Sequence, residues 1–551
     1  MSKMLTAPAP SLNADKLPRS QPKELHTRFL YSFFFNPHSV RPAQAALEAS
    51  ALPDRKGRPQ KVWAAVCLDD DQPHHLYKEE LHKHVVSFLF AAQEAAQAKQ
   101  LVAKAADQIG CAYLRLTEHF KNRWFNKLHV KLPDKIDAPI ELDPLAAVEL
   151  FLSSYGVGVL SFALSPQLKQ LDEQTVLAFN YRLSQLRTST AAQLYVPKPP
   201  TEQSVGAQAE QPEATEQTAR IGERFGRAGH SFTLRELIEQ ELLSPLLQLG
   251  YDPEHEAPSQ LSIYTVVRFG DEVDFERTEV RTARAAFLSA LTQLEEPTHA
   301  GAPVGTVSVN NAILNRRHWT AASILGVAHL IADQSPLDHP FNSARVPRLL
   351  LKYFIPYLTA LLQRSALLRI IQQASVAVMA NEDTPDFLAR LRRELLRFAV
   401  NGHFTEVSGR EVIHRYYRLC QMSLDVPSIL ADVRQALADL EAKHTTEAQF
   451  KLATETKYLQ ERMTDHLHVV RAIQTKVEWI EIVVIGLYFS ELAHSVLSQV
   501  HGTYLHAGEP EPHEIVYSTL IMLAIGFIAG LIAYWRLKPW QHKERHQTEK
   551  S

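Results

Sequence analysis

The chain has 551 residues, which is enough for several domains. Its formal charge of -3, with 22% charged residues, excludes the strongly basic composition typical of nucleic-acid-binding proteins. The three cysteines, Cys67, Cys111 and Cys420, lack the paired spacing of a thiolate zinc site or a disulfide framework, and they indicate a reducing compartment.

The first segment, residues 1–27, is rich in proline and lysine, so it is predicted to be disordered and carries no secretory signal. Residues 28–195 are predicted to form the first part of an α/β body. Aromatic and β-branched runs predict strands at 28–35, 62–68 and 149–164. Gly156 and Gly158 indicate a hairpin or bulge in the last of these strands. Helices are predicted at 77–109 and 172–187.

Residues 196–228 hold few large apolar side chains and are predicted to be a disordered insertion. Residues 229–425 are predicted to be the second part of the body, mostly helical from Trp319 onward. Other elements are predicted as a helix at 234–243, a strand at 261–269, and helices at 384–400 and 409–422. The apolar run 348–371 contains Lys352, Pro356 and Arg364, which favours a core helix over a membrane span. One mixed α/β body is the interpretation, and two separate domains are the alternative.

Residues 426–476 are predicted to form one long stalk helix, because no proline or glycine occurs between Ser428 and Lys476. Apolar residues recur mostly at three-, four- and seven-residue steps, which is an imperfect coiled-coil pattern. At 1.5 Å per residue, such a helix spans about 70 Å.

Residues 477–535 are predicted to form a transmembrane hairpin, since the apolar runs 477–500 and 515–535 each exceed the roughly 20 residues that span a bilayer. A buried hairpin of a soluble core is the alternative. The intervening loop has glutamates and no lysine or arginine, whereas the tail 536–551 is basic. The positive-inside rule therefore predicts a loop outside and both termini in the cytoplasm.

The first membrane run carries a polar arc, predicted from the 100° helical repeat. Its members are Glu481, Tyr488, Glu491, Ser495, Ser498 and Gln499. An ionisable residue at this depth marks a polar pathway or a pairing. Three interpretations stay open. The arc lines a pore in an oligomer, or Glu491 pairs with His494 or with a group on the second helix. In the third, a tilt of the helix places Glu491 at the membrane–water interface.

The second membrane run carries small residues, which are Gly526, Ala529, Gly530 and Ala533. Small residues four positions apart allow helices to approach closely. The second run is therefore predicted to pack around the first.

This arrangement of a cytoplasmic α/β body, a long helix, two membrane helices and a basic tail resembles the CorA family of divalent-cation channels. The resemblance covers about Asn401 to the C-terminus. It implies a pentamer whose first helices line the pore, with a divalent cation such as magnesium as the transported or regulatory ion. The family's outer loop carries Gly-Met-Asn and an acidic turn. The corresponding residues here are Gly502, Thr503, Tyr504, Glu509 and Glu511.

No phosphate-binding loop, hydrolase elbow or zinc-protease motif occurs in the sequence, so no enzyme is expected. His74, His75, His82, His84 and the run Asp69 to Asp71 are residue types that bind metal ions. Solvated surface positions are the simpler interpretation of all of them.

The sequence therefore predicts an oligomeric channel or transporter of the inner membrane, controlled by a cytoplasmic body with an unknown ligand. The alternative is a membrane-anchored sensor or effector whose body binds a ligand or partner. No nucleic-acid partner is expected.

Overall fold

The computed structural model of the chain divides into two compact units, Met1–Glu441 and Ala442–Ser551, here named unit 1 and unit 2. The structure describes residues 21–36, 40–53, 58–66, 75–90, 110–132, 137–146, 148–167, 171–186, 192–197, 230–253, 258–270, 275, 278–294, 312–315, 317–333, 340–380, 384–504, 516–517, 520–521, 523–532 and 535. The predicted insertion, from residue 198 onward, and the basic tail lie outside these residues.

Unit 1 contains all of the named strands. They are β1 Pro22–Phe34, β2 Ala51–Pro53, β3 Pro59–Lys61, β4 Trp63–Ala65, β5 Cys111–Leu116, β6 Leu128–Lys131, β7 Asp137–Leu142, β8 Val148–Ser153, β9 Val157–Pro166, β10 Gln193–Tyr195, β11 Ser231–Phe232, β12 Ser262–Phe269, β13 Ala312–Asn315, β14 His318–Ala322 and β15 Gly326–Ala332.

The helices alternate with the strands and then follow them. They are α1 Val40–Ala49, α2 His75–Lys78, α3 Lys83–Leu89, α4 Glu118–Trp124, α5 Glu173–Ser184, α6 Leu234–Leu237, α7 Thr278–Gln293, α8 Pro340–Arg348, α9 Phe354–Met379, α10 Pro385–Asn401, α11 Glu411–Ser423, α12 Val426–Tyr504 and α13 Leu523–Ile532. Short π-helical segments, Ile238–Leu242 and Leu349–Tyr353, follow α6 and α8.

A 13-stranded mixed sheet forms the centre of unit 1. Its path is β11-β10-β6-β7-β9-β1-β12-β15-β14-β13, with β8, β5 and β4 branching from β9. β1 pairs antiparallel with β9 on one edge and with β12 on the other, whereas β12 and β15 are parallel. Strands from both sides of the predicted insertion therefore belong to one sheet.

Helices cover both faces of this sheet, and each face has its own hydrophobic core. Side chains alternate along β1, so Phe29 and Phe33 enter one core while Leu30 enters the other. The first core packs against α1, α5 and α7. The second packs against α9, α10 and α11 and against the first turns of α12. This arrangement confirms the mixed α/β sheet with helices that the sequence predicts.

Three predictions about unit 1 were wrong. One helix was predicted at 77–109, but α2 ends at Lys78 and α3 begins at Lys83, with Leu81 in an isolated bridge to Ser408 between them. The disordered N-terminal segment was predicted to reach Thr27, but β1 begins at Pro22 because its first residues pair with β12. The chain was predicted to be helical from Trp319 onward, but residues 318–332 form the antiparallel strands β14 and β15. Every residue of β15 is buried, and β14 is buried from Trp319 onward, so burial does not alternate along either strand.

The helical region 340–379 settles the nature of the apolar run 348–371. Ala344–Met379 is long and apolar enough to cross a membrane, but 78% of its apolar window is buried inside the protein. The prediction of a core helix is therefore confirmed. Lys352, within the π-helical segment, forms ion pairs with Glu79 and Glu80, which lets a charged side chain lie against this core.

Candidate functional site

The second apolar helix long enough to cross a membrane is the part of α12 that ends at Val496. None of its apolar window is buried, in contrast to α9. Leu487 and Leu492 are about two-thirds exposed, at 66% and 63%. α13 is likewise apolar, and its Phe527 is 73% exposed. Apolar surface of this extent is unfavourable in water and is typical of a face that meets lipid or other chains.

Within unit 2, α12 and α13 touch at small residues. A Cβ added to Gly526 would lie 3.3 Å from the carbonyl oxygen of Gly486 and 3.4 Å from Cβ of Ser490. Of the predicted packing residues, Gly526 and Gly530 are buried and Ala529 is half-buried, while Ala533 lies outside the described residues. Glycine at 526 therefore allows the two backbones to approach closely.

Enlarging Gly526 is expected to weaken this contact, because a valine side chain would collide with α12. Overpacking of this kind costs about 1–3 kcal/mol. We expect Gly526→Val to lower the thermal unfolding midpoint of the purified protein in detergent. Gly530→Val is the matched control, because a Cβ at Gly530 meets nothing within 4 Å. If the two variants lower the unfolding midpoint equally, close packing at Gly526 does not stabilise the protein as described.

The predicted polar arc lies on α12, on the side away from α13. Its members Glu481, Tyr488, Glu491, Ser495 and Ser498 are exposed, and Gln499 lies on the same helix. With successive residues about 100° apart, the middle of the arc lies about 170° from Gly486. Among the described residues, Glu491 makes no ion pair or hydrogen bond. The helix contact thus covers the face with small residues and leaves the polar face open.

The outer-loop residues differ in part from their predicted setting. Gly502, Thr503 and Tyr504 were predicted to lie in a loop, but α12 continues through Tyr504. Neither proline nor a turn-forming pair interrupts the helix there. Glu509 and Glu511 lie outside the described residues.

Unit 1 contains a buried ionic cluster centred on Glu149. Nη1 of Arg28 donates to Oε2 of Glu149 at 2.6 Å, and both side chains are fully buried. The hydroxyls of Tyr77 and Tyr113 also donate to this carboxylate, at 2.8 and 2.6 Å. Burial raises the pKa of Glu149, but Arg28 and Arg115 outweigh burial and hold it below its usual range.

This cluster reaches the helical layer through the π-helical segment. Nη2 of Arg28 donates to the carbonyl of Leu350 at 2.6 Å, and the hydroxyl of Tyr264 donates to that of Leu349 at 2.6 Å. The guanidinium of Arg28 also lies 3.8 Å from the ring centre of Phe354. Both oxygens of Glu149 accept hydrogen bonds, so the cluster joins the sheet to the helical layer.

A second buried polar group lies on β14 and β15. Nε2 of His318 is 3.2 Å from Nδ1 of His329, and Oγ1 of Thr320 lies within 3.0 Å of both nitrogens. Burial, followed by nearby Arg345, lowers the pKa of His318 to about 4. Burial and His318 lower the pKa of His329 as well. Both imidazoles are therefore neutral at pH 7, which suits mutual hydrogen bonding in the core.

Of the candidate metal ligands in the sequence, His82 and His84 lie next to each other. His82 and His84 stack with ring centres 5.5 Å apart, and Nε2 of His82 lies 3.8 Å from Oε1 of Glu406. His75 lies in α2, whereas His74 and Asp69 to Asp71 lie outside the described residues. Among the residues that the structure describes, no group of three or more His, Cys, Asp or Glu side chains could hold a metal ion.

The chain was compared with family models, curated proteins and solved structures. No family model matches the chain, and neither a curated protein nor a solved structure does so.

Proposed function

We propose that this chain assembles into a homo-oligomer of an inner membrane and that the polar face of α12 lines a cation pathway. The observation that carries the proposal is the open polar face opposite Gly486, since α13 covers only the face with small residues. A charged residue near the middle of a bilayer costs roughly 2.5–3.5 kcal/mol on insertion scales, so Glu491 needs water or a partner. Further copies of α12 would supply both.

Regulation by unit 1 is supported by the continuity of α12. Leu430, Val433 and Leu437 of this helix are buried in the second core of unit 1. The same helix continues without interruption to Tyr504. A change in unit 1 that alters these residues would therefore act on the same helix that carries the polar arc.

The resemblance to CorA channels supports the same proposal from topology, and it suggests five copies with a divalent cation such as magnesium as cargo or regulator. Gly502, Thr503 and Tyr504 stand where that family has Gly-Met-Asn. The ion is therefore left open. In the alternative role, an anchored sensor or effector, the polar arc would take no part in transport.

Oligomeric state and topology test this proposal together. We expect the detergent-solubilised protein to contain at least about four copies, because single helices need that number to enclose a pore. A cysteine at Ala507 should react with an impermeant reagent from outside, and a cysteine at Ser551 should not. Native mass spectrometry and labelling of intact cells give the two readouts. A monomer, or the opposite labelling pattern, would exclude the pathway as proposed.

A further inference from the structure

The stretch of α12 in unit 2 before the membrane run carries an exposed apolar stripe that contains one histidine. Leu459, Met463, Val470 and Ile473 are between 55% and 66% exposed, although they are large and apolar. Together with His466 they follow steps of four and three residues, so they lie on one side of the helix. Such a stripe is typical of the contact surface of a coiled coil.

The stripe continues with the same spacing through Val477, Ile480, Val484 and Leu487. Every position of this repeat from Leu459 to Leu487 is apolar except His466. The next position of the repeat is Glu491, the residue of the proposed pathway. One side of α12 therefore combines a coiled-coil surface with the polar arc.

A second copy of this chain is the occupant that fits the stripe. Copies inserted in one membrane point the same way, so their helices are parallel. In a parallel coiled coil, a residue that directly precedes a stripe position can face the residue five positions later on the neighbouring helix, which directly follows the next stripe position. Lys476 and Glu481 occupy these two positions and carry opposite charges. At this layer the flanking charges therefore favour the parallel orientation.

We infer that His466 side chains of neighbouring copies meet at one layer of this coiled coil and bind a divalent transition-metal ion. This inference rests on the proposed homo-oligomer, because one chain supplies only one ligand. At a core layer, residues of equal number face each other across the axis. Imidazole nitrogens bind Zn²⁺ at about 2.0–2.1 Å and also suit copper and nickel.

The residues around His466 fit such a site. Met463 and Val470 occupy the layers on either side and would exclude water from the bound ion. Without a ligand, a polar imidazole in an apolar layer is unfavourable, since its nitrogens lose water. A shared ion satisfies one nitrogen of each ring. The stalk would then be held together by an ion located between the body and the membrane helix.

The test uses the full-length, tag-free protein in detergent, with Co²⁺ as a spectroscopic probe and Zn²⁺ as a competitor. We expect a saturable Co²⁺ spectrum at one ion per oligomer, displaced by Zn²⁺. His466→Leu should weaken binding by at least about 100-fold, because a metal cannot be held without its imidazole ligands. The same variant should stay oligomeric, because leucine suits the seam.

His468→Leu is the matched control, because His468 is exposed on the same helix and lies off the repeat. It should bind Co²⁺ as the unmodified protein does. Equal loss in both variants, or retained binding in His466→Leu, would overturn the histidine ring. An oligomeric protein that binds no Co²⁺ would overturn the ring alone. A monomeric protein would overturn the proposed function as well.

Discussion

Replacing Arg28 by methionine is expected to destabilise unit 1 by about 3–5 kcal/mol, the range measured when one partner of a buried ion pair is removed. Arg28 and Glu149 are both 0% exposed, so the remaining carboxylate would lie in the core without its main counter-charge. The free energy of unfolding of a typical domain is about 5–15 kcal/mol, so this loss is a large share. Urea unfolding, followed by the fluorescence of buried tryptophans such as Trp63, measures it.

Arg115→Met is the matched control for this prediction. Nε of Arg115 lies 3.9 Å from Oε1 of Glu149, but its side chain is 23% exposed, so its loss should cost less than about 1 kcal/mol. The double variant Arg28→Met with Glu149→Met should recover part of the loss, because no charge is left buried. If Arg28→Met is no worse than Arg115→Met, the cluster does not hold the fold as described.

The second large effect is expected for Glu491→Gln in a cation-flux assay. If Glu491 faces a shared pathway, its carboxylates attract cations, and glutamine keeps the shape while removing the charge. We expect cation flux into liposomes to fall by roughly tenfold or more, since a factor of ten corresponds to only about 1.4 kcal/mol of lost attraction. The size of the oligomer should not change.

Phe489→Leu is the control, because Phe489 lies on the same helix outside the polar arc and keeps an apolar side chain. Its flux should be nearly that of the unmodified protein. If Glu491→Gln leaves flux unchanged, the residue does not line the pathway. If it dissociates the oligomer, Glu491 holds copies together. An unmodified protein that conducts no cation under any condition supports the anchored sensor.

Elements with a long, regular pattern were predictable from the sequence. The 79-residue α12 has neither proline nor glycine between Ser428 and Lys476, and the hairpin of β8 and β9 turns at Gly156, which has a φ of 70°. A positive φ favours glycine, so this turn leaves a direct mark in the sequence. Thr384 caps α10 by accepting from the backbone of Phe387, and threonine just before a helix is a common N-cap residue.

The strands β14 and β15 were not predictable by the same means. β15 is buried on both faces and shows no polar and apolar alternation, and β14 is only five residues long, so neither gives the pattern that identifies a half-buried strand. His318 and His329 become neighbours only because these two strands pair, and their contact could not be found without that pairing.

The cluster around Glu149 does leave a signal in the sequence. Glu149 is the single charged residue of the otherwise largely apolar β8, and Arg28, 121 positions earlier, directly precedes the aromatic run of β1. A charge in such a place requires a partner, because lone buried charges are very unfavourable. The contact of Gly486 with Gly526 left no comparable signal in the sequence. Small residues permit two helices to pack closely, but they do not specify which helices meet.

The position of β1 in the sheet determines when the body can fold during synthesis. β1 lies between β9 and β12, and Thr27 meets Thr265, which lies 238 positions later in the chain. A ribosome that has released only the residues before β12 leaves one edge of β1 unpaired, and unpaired edges promote aggregation. Pairings this distant also slow folding. The nascent N-terminal half is therefore exposed to aggregation until β12 has been made.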